Sequence, residues 1–147
     1  MTYDKFEKSC GALVIRHDEG RGDDYILMIR HRPGGYRSFP KGHVEAGETE
    51  RETAMREVLE ETSVHITILP DFRHVVCYAP APGVEKEVVY FLAATEQIDI
   101  RPRHGEIAQV EWVPLERAER CLTHDNDKRV LKAALDKLQS IAQNTGK

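Results

Sequence analysis

Residues 41 to 64, KGHVEAGETERETAMREVLEETSV, constrain this chain more than any other stretch of it. On a helix running from about residue 48 to 62, Glu57, Glu60 and Glu61 stand at i, i+3 and i+4 and project from one face. Like charges at that spacing repel, at roughly 0.2–0.5 kcal/mol per pair even on an exposed helix. Such a turn is either a solvated acidic face with Arg56 as partial neutralisation, or a cation site. Clustered carboxylate oxygens are hard donors and suit Mg²⁺, Mn²⁺ or Ca²⁺ better than zinc. Thr49 or Gly47 can cap the helix start, with Glu48, Glu50 and Glu52 near the positive end of its dipole. Ala54, Met55, Val58 and Leu59 recur at helical spacing and predict its apolar stripe.

Around this segment the pattern is one of strands. Residues 9–16, SCGALVIR, are apolar and β-branched, and the Gly- and Asp-rich run HDEGRGDD separates them from a second strand at 25–29. Residues 32–40, RPGGYRSFP, read as a loop. The segment 64–79 is strand-like with Pro70-Asp71 as a break, and residues 72–79 and 86–94 flank a Pro- and Gly-rich turn as a hairpin. Residues 107–113 carry the only Trp, Trp112, and Pro114 suits the first position of a short helix over 114–121. A last helix over 125–142, with Asp125 as N-cap, places Val130, Leu131, Ala134, Leu135, Leu138 and Ile141 on one face. No repeat or linker divides the 147 residues. The expectation is one domain over residues 1–147 of the α+β class, a mixed β-sheet sandwiched between helices.

The net charge of −4 argues against a nucleic-acid coat, which needs a positive footprint. A small phosphorylated ligand is still allowed, because a bound cation reverses the local field. Cys10, Cys77 and Cys121 are odd in number and form no CxxC pair, so a disulfide framework and a zinc site are both disfavoured. The charged N-terminus MTYDKFEK lacks an apolar signal region, and no apolar run is long enough for a bilayer. The expectation is a cytoplasmic protein with no membrane association. Neither a phosphate-binding GxxxxGK[ST] loop nor an HExxH pair occurs.

The acidic segment resembles the signature of the Nudix hydrolases, G-x5-E-x7-R-E-U-x-E-E-x-G-U with U a bulky aliphatic residue. Gly42, Glu48, Arg56-Glu57-Val58, Glu60-Glu61 and Val64 match in register. The one departure is Ser63, where the family has a glycine that caps the helix in left-handed conformation. The resemblance implies the Nudix fold, an α/β/α sandwich, and a loop–helix–loop that holds Mg²⁺ or Mn²⁺ beside a pyrophosphate. It implies Glu57, Glu60 and Glu61 as metal ligands, and one of these, Glu57 first, as the base that deprotonates the attacking water. Arg56 would pair with Glu48 and brace the loop, Gly42 would permit close backbone approach, and the Lys41 carbonyl would reach a metal. A further glutamate from a later loop joins the metal in many relatives, and Glu106 is the candidate here.

Within that family, Phe39-Pro40-Lys41-Gly42-His43-Val44-Glu45 and the strand Lys86–Ala93 resemble the asymmetric bis(5'-nucleosyl)-tetraphosphate (Ap4A) hydrolases. The related loop carries a Trp a few residues before PKG, where this chain has Tyr36-Arg37-Ser38. The resemblance implies a small-molecule nucleotide substrate, with Lys41 and Lys86 on its phosphates, His43 beside the metal loop, and Tyr36, Tyr78 and Tyr90 as candidates to stack on adenine. Arg30, Arg32 and Arg37 lie on the approach and are candidates for terminal phosphates. Inositol pyrophosphates, nucleoside triphosphates and capped RNA are alternative substrates for the same chemistry. A non-catalytic nucleotide-binding regulator is the alternative outside it.

Overall fold

In the computed structural model, residues 5–103, 105 and 107–145 are described. Seven strands and three α-helices follow in the order β1 (Lys5–Asp18), β2 (Asp23–His31), β3 (Arg37–Ser38), β4 (Lys41–His43), α1 (Glu50–Thr62), β5 (Thr67–Ala81), β6 (Val84–Ala94), β7 (Ile107–Pro114), α2 (Ala118–Cys121) and α3 (Asp125–Thr145). The sheet is mixed: β1 runs parallel to β6, and every other pairing is antiparallel.

Two strands part company to make the site. β1 and β2 form the expected hairpin, paired from Asp18↔Asp23 to Ile15↔Ile26, and then separate. β1 keeps β6 along one edge, while its freed edge takes β4 at Ser9–Gly11. β2 keeps β7 along one edge, while its freed edge takes β3 at Ile29–Arg30. The chain from β3 to β4 therefore crosses a wedge opened in the sheet, and Phe39 fills it with no exposure. Gly11 makes the crossing possible: a Cβ there would overlap the Pro40 carbonyl and the Lys41 backbone. Residues 41–43, the start of the acidic segment, are a strand rather than loop because β1 offers them an open edge.

Side chains alternate across the strands into two layers. Leu13, Ile26, Met28, Val88, Tyr90 and Leu92 pack with Val130, Leu131 and Ala134 of α3. Ala12, Val14, Leu27 and Ile29 pack on the other face with Val58 of α1. The α/β/α sandwich expected from the sequence is the architecture observed.

Several boundaries moved. β1 begins at Lys5, not residue 9, because the parallel ladder with β6 starts at Lys5↔Val84 and recruits polar residues. Pro70-Asp71 does not break β5. The register shifts between Ile68 and Arg73, with Asp71 at φ 65°, and among the described residues β5 pairs only with β6, so proline's missing N–H is tolerated. Pro114 ends β7 instead of opening a helix, and a 3₁₀ turn over Leu115–Arg117 precedes α2. Asp125 is the first helical residue of α3 rather than its cap. The α1 stripe also shifts: Thr53, Ala54, Val58, Glu61 and Thr62 are buried, whereas Met55 is largely exposed. Among the described residues no helix is long and apolar enough to cross a membrane.

Candidate active site

The helix that carries the glutamates is fixed at both ends. Thr49 is its N-cap, with its hydroxyl accepting from the Glu52 N–H at 3.1 Å and the Glu52 carboxylate accepting from the Thr49 N–H at 2.9 Å. At the other end Ser63 takes the left-handed conformation, φ 66° and ψ 16°, that the family reserves for glycine. Its N–H donates to the Leu59 carbonyl, and its hydroxyl donates to the Arg101 carbonyl at 3.2 Å, which offsets part of the strain.

Arg56 organises the acidic face. Its Nε donates to Glu48 at 2.6 Å and its Nη2 to the other Glu48 oxygen at 2.9 Å, a two-pronged pair. Nη2 also donates to the His43 carbonyl at 3.0 Å, which ties the loop before α1 to the helix. Nη1 faces the remaining carboxylates, Glu57 at 2.7 Å and Glu60 at 3.1 Å. Glu48 further accepts from the Glu45 N–H and the Thr53 hydroxyl, and with Arg56 first among the causes its carboxyl is held down at about 2. The brace expected between Arg56 and Glu48 is present.

Glu61 sits deeper. Burial, and then the neighbouring Glu57 charge, push its carboxyl up to about 8. One oxygen accepts from the Lys41 N–H at 3.0 Å, and the other accepts no hydrogen bond from any described residue. Glu57 lies against Gly42 so closely that a Cβ there would overlap its carboxylate. These carboxylates are suited to a hard divalent cation: they are clustered, all-oxygen, and only partly neutralised, with free acceptor sites on Glu57 and Glu61. They are not preformed around a single point, because Arg56 draws Glu57 and Glu60 to itself, and among the described residues no three acidic, His or Cys side chains converge on one.

Beside this cluster a cavity of about 570 Å³ opens between the β3–β4 wedge, β5–β6 and the start of α3. Lys41 belongs to both, since its N–H serves Glu61 and the residue lines the cavity. Tyr36 and Tyr78 line it as well and are 40% and 38% exposed. Tyr36 already stacks on His31, with centroids 4.4 Å apart, so only part of its ring is open.

Other sequence-based candidates are placed differently. Tyr90 is 1% exposed and packs edge-on against Phe39, so its ring belongs to the core and cannot sandwich a base. The His43 imidazole lies outside the cavity, 3.6 Å from Glu7, and its carbonyl is the part that serves Arg56. Lys86 is half-buried, and burial followed by the nearby Lys41 charge lowers its pKa. Arg37 is committed to Glu111 at 3.0 Å, which removes it as a free phosphate clamp. Glu106 lies outside the described residues. No local pattern points to Gly11, nor to His31, His124 and Asp127 in the cavity wall. Asp127 reads there as an ordinary acidic residue in a helix's first turn.

The NUDIX domain family matches residues 6–135 of the chain. An asymmetrical bis(5'-nucleosyl)-tetraphosphatase from Mus musculus is 39% identical over 120 residues, covering 76% of this chain and 81% of the relative. A putative mutator protein, MutT4, from Mycobacterium tuberculosis is 32% identical over 143 residues; the match covers 91% of this chain but only 58% of that longer protein. The fold is similar to that of an Ap4A hydrolase from C. elegans solved as a binary complex, with a TM-score of 0.81, 27% identity, and coverage of 91% of this chain and 98% of that one. The braced glutamate helix, the wedge that presents it and a family match spanning nearly the whole described chain agree: the chain belongs to the Nudix hydrolase family.

Proposed function

We propose that the protein hydrolyses a phosphoanhydride bond in dinucleoside tetraphosphates, cutting diadenosine tetraphosphate into ATP and AMP in the presence of Mg²⁺ or Mn²⁺. One observation carries the reading. Lys41 joins the carboxylate cluster to the cavity, so a base in the cavity leaves its phosphates running towards Glu57, Glu60 and Glu61.

Glu57, Glu60 and Glu61 would hold the divalent cations, with the Lys41 carbonyl and Glu106 as further candidates. When bound, such cations neutralise phosphate oxygens and lower the pKa of water. The chain's own residues do the rest. Arg56, anchored by Glu48 and His43, keeps the helix and its preceding loop at a fixed separation. Glu57, with one oxygen free of Arg56, would take a proton from the attacking water. Lys41 and Lys86 would supply positive charge for the phosphate chain, and Tyr78, whose ring stacks on no described residue while Tyr36 stacks on His31, is the candidate to stack on a base. A cation held by Glu57 and Glu60 would compete with Arg56 Nη1 for the oxygens it now engages.

The test is hydrolysis in ¹⁸O-labelled water with Mg²⁺, offering diadenosine tetraphosphate, nucleoside triphosphates, an inositol pyrophosphate and capped RNA. The pair of products identifies the anhydride cut, and label in the nucleoside monophosphate or in the nucleoside triphosphate identifies the phosphorus attacked. Preference for a substrate lacking a second nucleoside, or turnover that survives EDTA, would overturn the reading.

A further inference from the structure

Arg16, Glu61 and Asp127 are the buried charged side chains among the described residues. Glu61 accepts from the Lys41 N–H, and Asp127 accepts from the Tyr90 hydroxyl. Arg16, only 8% exposed, has no such partner. Its guanidinium lies over the rings of Tyr25 and Trp112, 4.7 Å and 5.1 Å from their centroids. It forms no hydrogen bond or ion pair with any described residue, and its Nε is buried with no acceptor. The ring faces attract the charge but take none of its directional N–H bonds. A buried guanidinium is ordinarily paired, because leaving a desolvated charge without acceptors is costly.

Arg16 also lines a second cavity, of about 810 Å³, beyond the ends of the parallel strands β1 and β6. It shares no lining residue with the first cavity: β1 meets the active-site strand β4 at Ser9–Gly11, whereas Ile15 to Glu19 line the second cavity. We propose that this second cavity is a binding site for a small aliphatic monocarboxylate, whose carboxylate pairs with the Arg16 guanidinium. Three features of the wall select that class. The planar fork of an arginine matches the two oxygens of a carboxylate, and the flanking rings hold the fork in place. Asp18, Glu19 and Glu96 line the same cavity, so a single negative charge is accepted where a phosphate dianion would be repelled. Ile15, Leu69 and Leu138 supply an apolar wall for the body of the ligand.

Trp112 is the only tryptophan and touches Arg16, so its emission reports on the site. The test titrates the full chain with hexanoate, hexanol and hexyl phosphate at pH 7. Hexanoate should change the emission saturably, with half-saturation below about 1 mM, and hexanol and hexyl phosphate should bind at least about tenfold more weakly. Hexanoate should also raise the melting temperature. Arg16→Met fills the space between the rings without a charge and should weaken hexanoate at least about tenfold, with Arg16→Lys in between because it keeps the charge and loses the fork. AMP with Mg²⁺ should leave the hexanoate curve unchanged. A wild type with no saturable response, a response equal for hexanoate and hexanol, or displacement of hexanoate by AMP would overturn the assignment. So would an Arg16→Met protein that binds hexanoate like the wild type, which would make Arg16 a packing element of the ring stack. If Arg16→Met does not fold, Arg16→Lys and the hexanoate-to-hexanol ratio in the wild type decide. None of these readings depends on which phosphoanhydride the chain hydrolyses.

Discussion

Arg56 and Glu48 meet through two hydrogen bonds, 2.6 Å and 2.9 Å long, that join the middle of α1 to the loop preceding it. A second charged tie lies at the helix start, where Glu50 takes Lys8 of β1 at 2.7 Å and Arg73 of β5 at 2.7 Å. Both carboxyls are held down at about 2, Glu48 mainly by Arg56 and Glu50 mainly by Arg73. Their pKa values are depressed on folding, so the stability they contribute is fully present above the unfolded value of 4.5 and is lost as pH falls towards 2. Thermal midpoints of the wild type should therefore fall between pH 5 and pH 3. Glu48→Gln should start lower at pH 7 and fall less over that interval, as read by circular dichroism melts.

Glu61 titrates with the opposite sign. Its folded pKa is raised to about 8, so its contribution is largest below 4.5 and is lost as pH rises through 8. Glu61→Gln keeps an oxygen for the Lys41 N–H and removes a buried charge. In EDTA at pH 9 the variant should be more stable than the wild type by roughly 1–2 kcal/mol, while its turnover drops by two or more orders of magnitude. Adding Mg²⁺ should raise the wild-type melting temperature, and raise that of the variant much less. Melts with and without metal, alongside an activity assay, check both halves.

Two glycines separate the placing of the Glu57 side chain from the building of the fold. A Cβ at Gly42 would meet the end of the Glu57 side chain, which can swing aside. A Cβ at Gly11 would meet the Pro40 carbonyl, which cannot move without opening the wedge. Gly42→Ala should leave the unfolding midpoint in urea nearly unchanged and lower kcat at least tenfold by displacing Glu57. Gly11→Ala should cost about 1–3 kcal/mol of stability.

What could be read beforehand follows from which interactions are local. The cap at Thr49, the single-face placing of Glu57, Glu60 and Glu61, and the β5–β6 hairpin depend on spacings of a few residues, so periodicity and turn residues reveal them. The burial of Glu61 and the exposure of Met55 depend on how α1 lies over the wedge, and no local pattern encodes that angle. Gly11 faces Pro40 across a gap that exists only because β1 and β2 part after four paired residues. Asp127 enters the cavity wall because α3 starts beside the β3–β4 crossing, a relation between segments far apart in sequence. The candidate metal-binding residues are legible through a family signature; the cavity beside them is not.

Ser63 offers the last test, since it occupies a conformation unfavourable for any residue with a Cβ. Two effects oppose each other there. Left-handed backbone costs a non-glycine residue roughly 1–2 kcal/mol, and the hydroxyl bond to the Arg101 carbonyl returns about 0.5–1.5 kcal/mol. Ser63→Gly removes both and should change stability by less than about 1 kcal/mol. Ser63→Ala keeps the strain and loses the bond, so it should be less stable than wild type by roughly that bond's contribution. Ser63→Val adds β-branching, which is worst in this region, and should be the least stable of the set. Urea melts that rank the four proteins with valine lowest and glycine close to serine would agree with this balance. A glycine variant stabilised by the full strain of roughly 1–2 kcal/mol would show that the Arg101 contact contributes nothing.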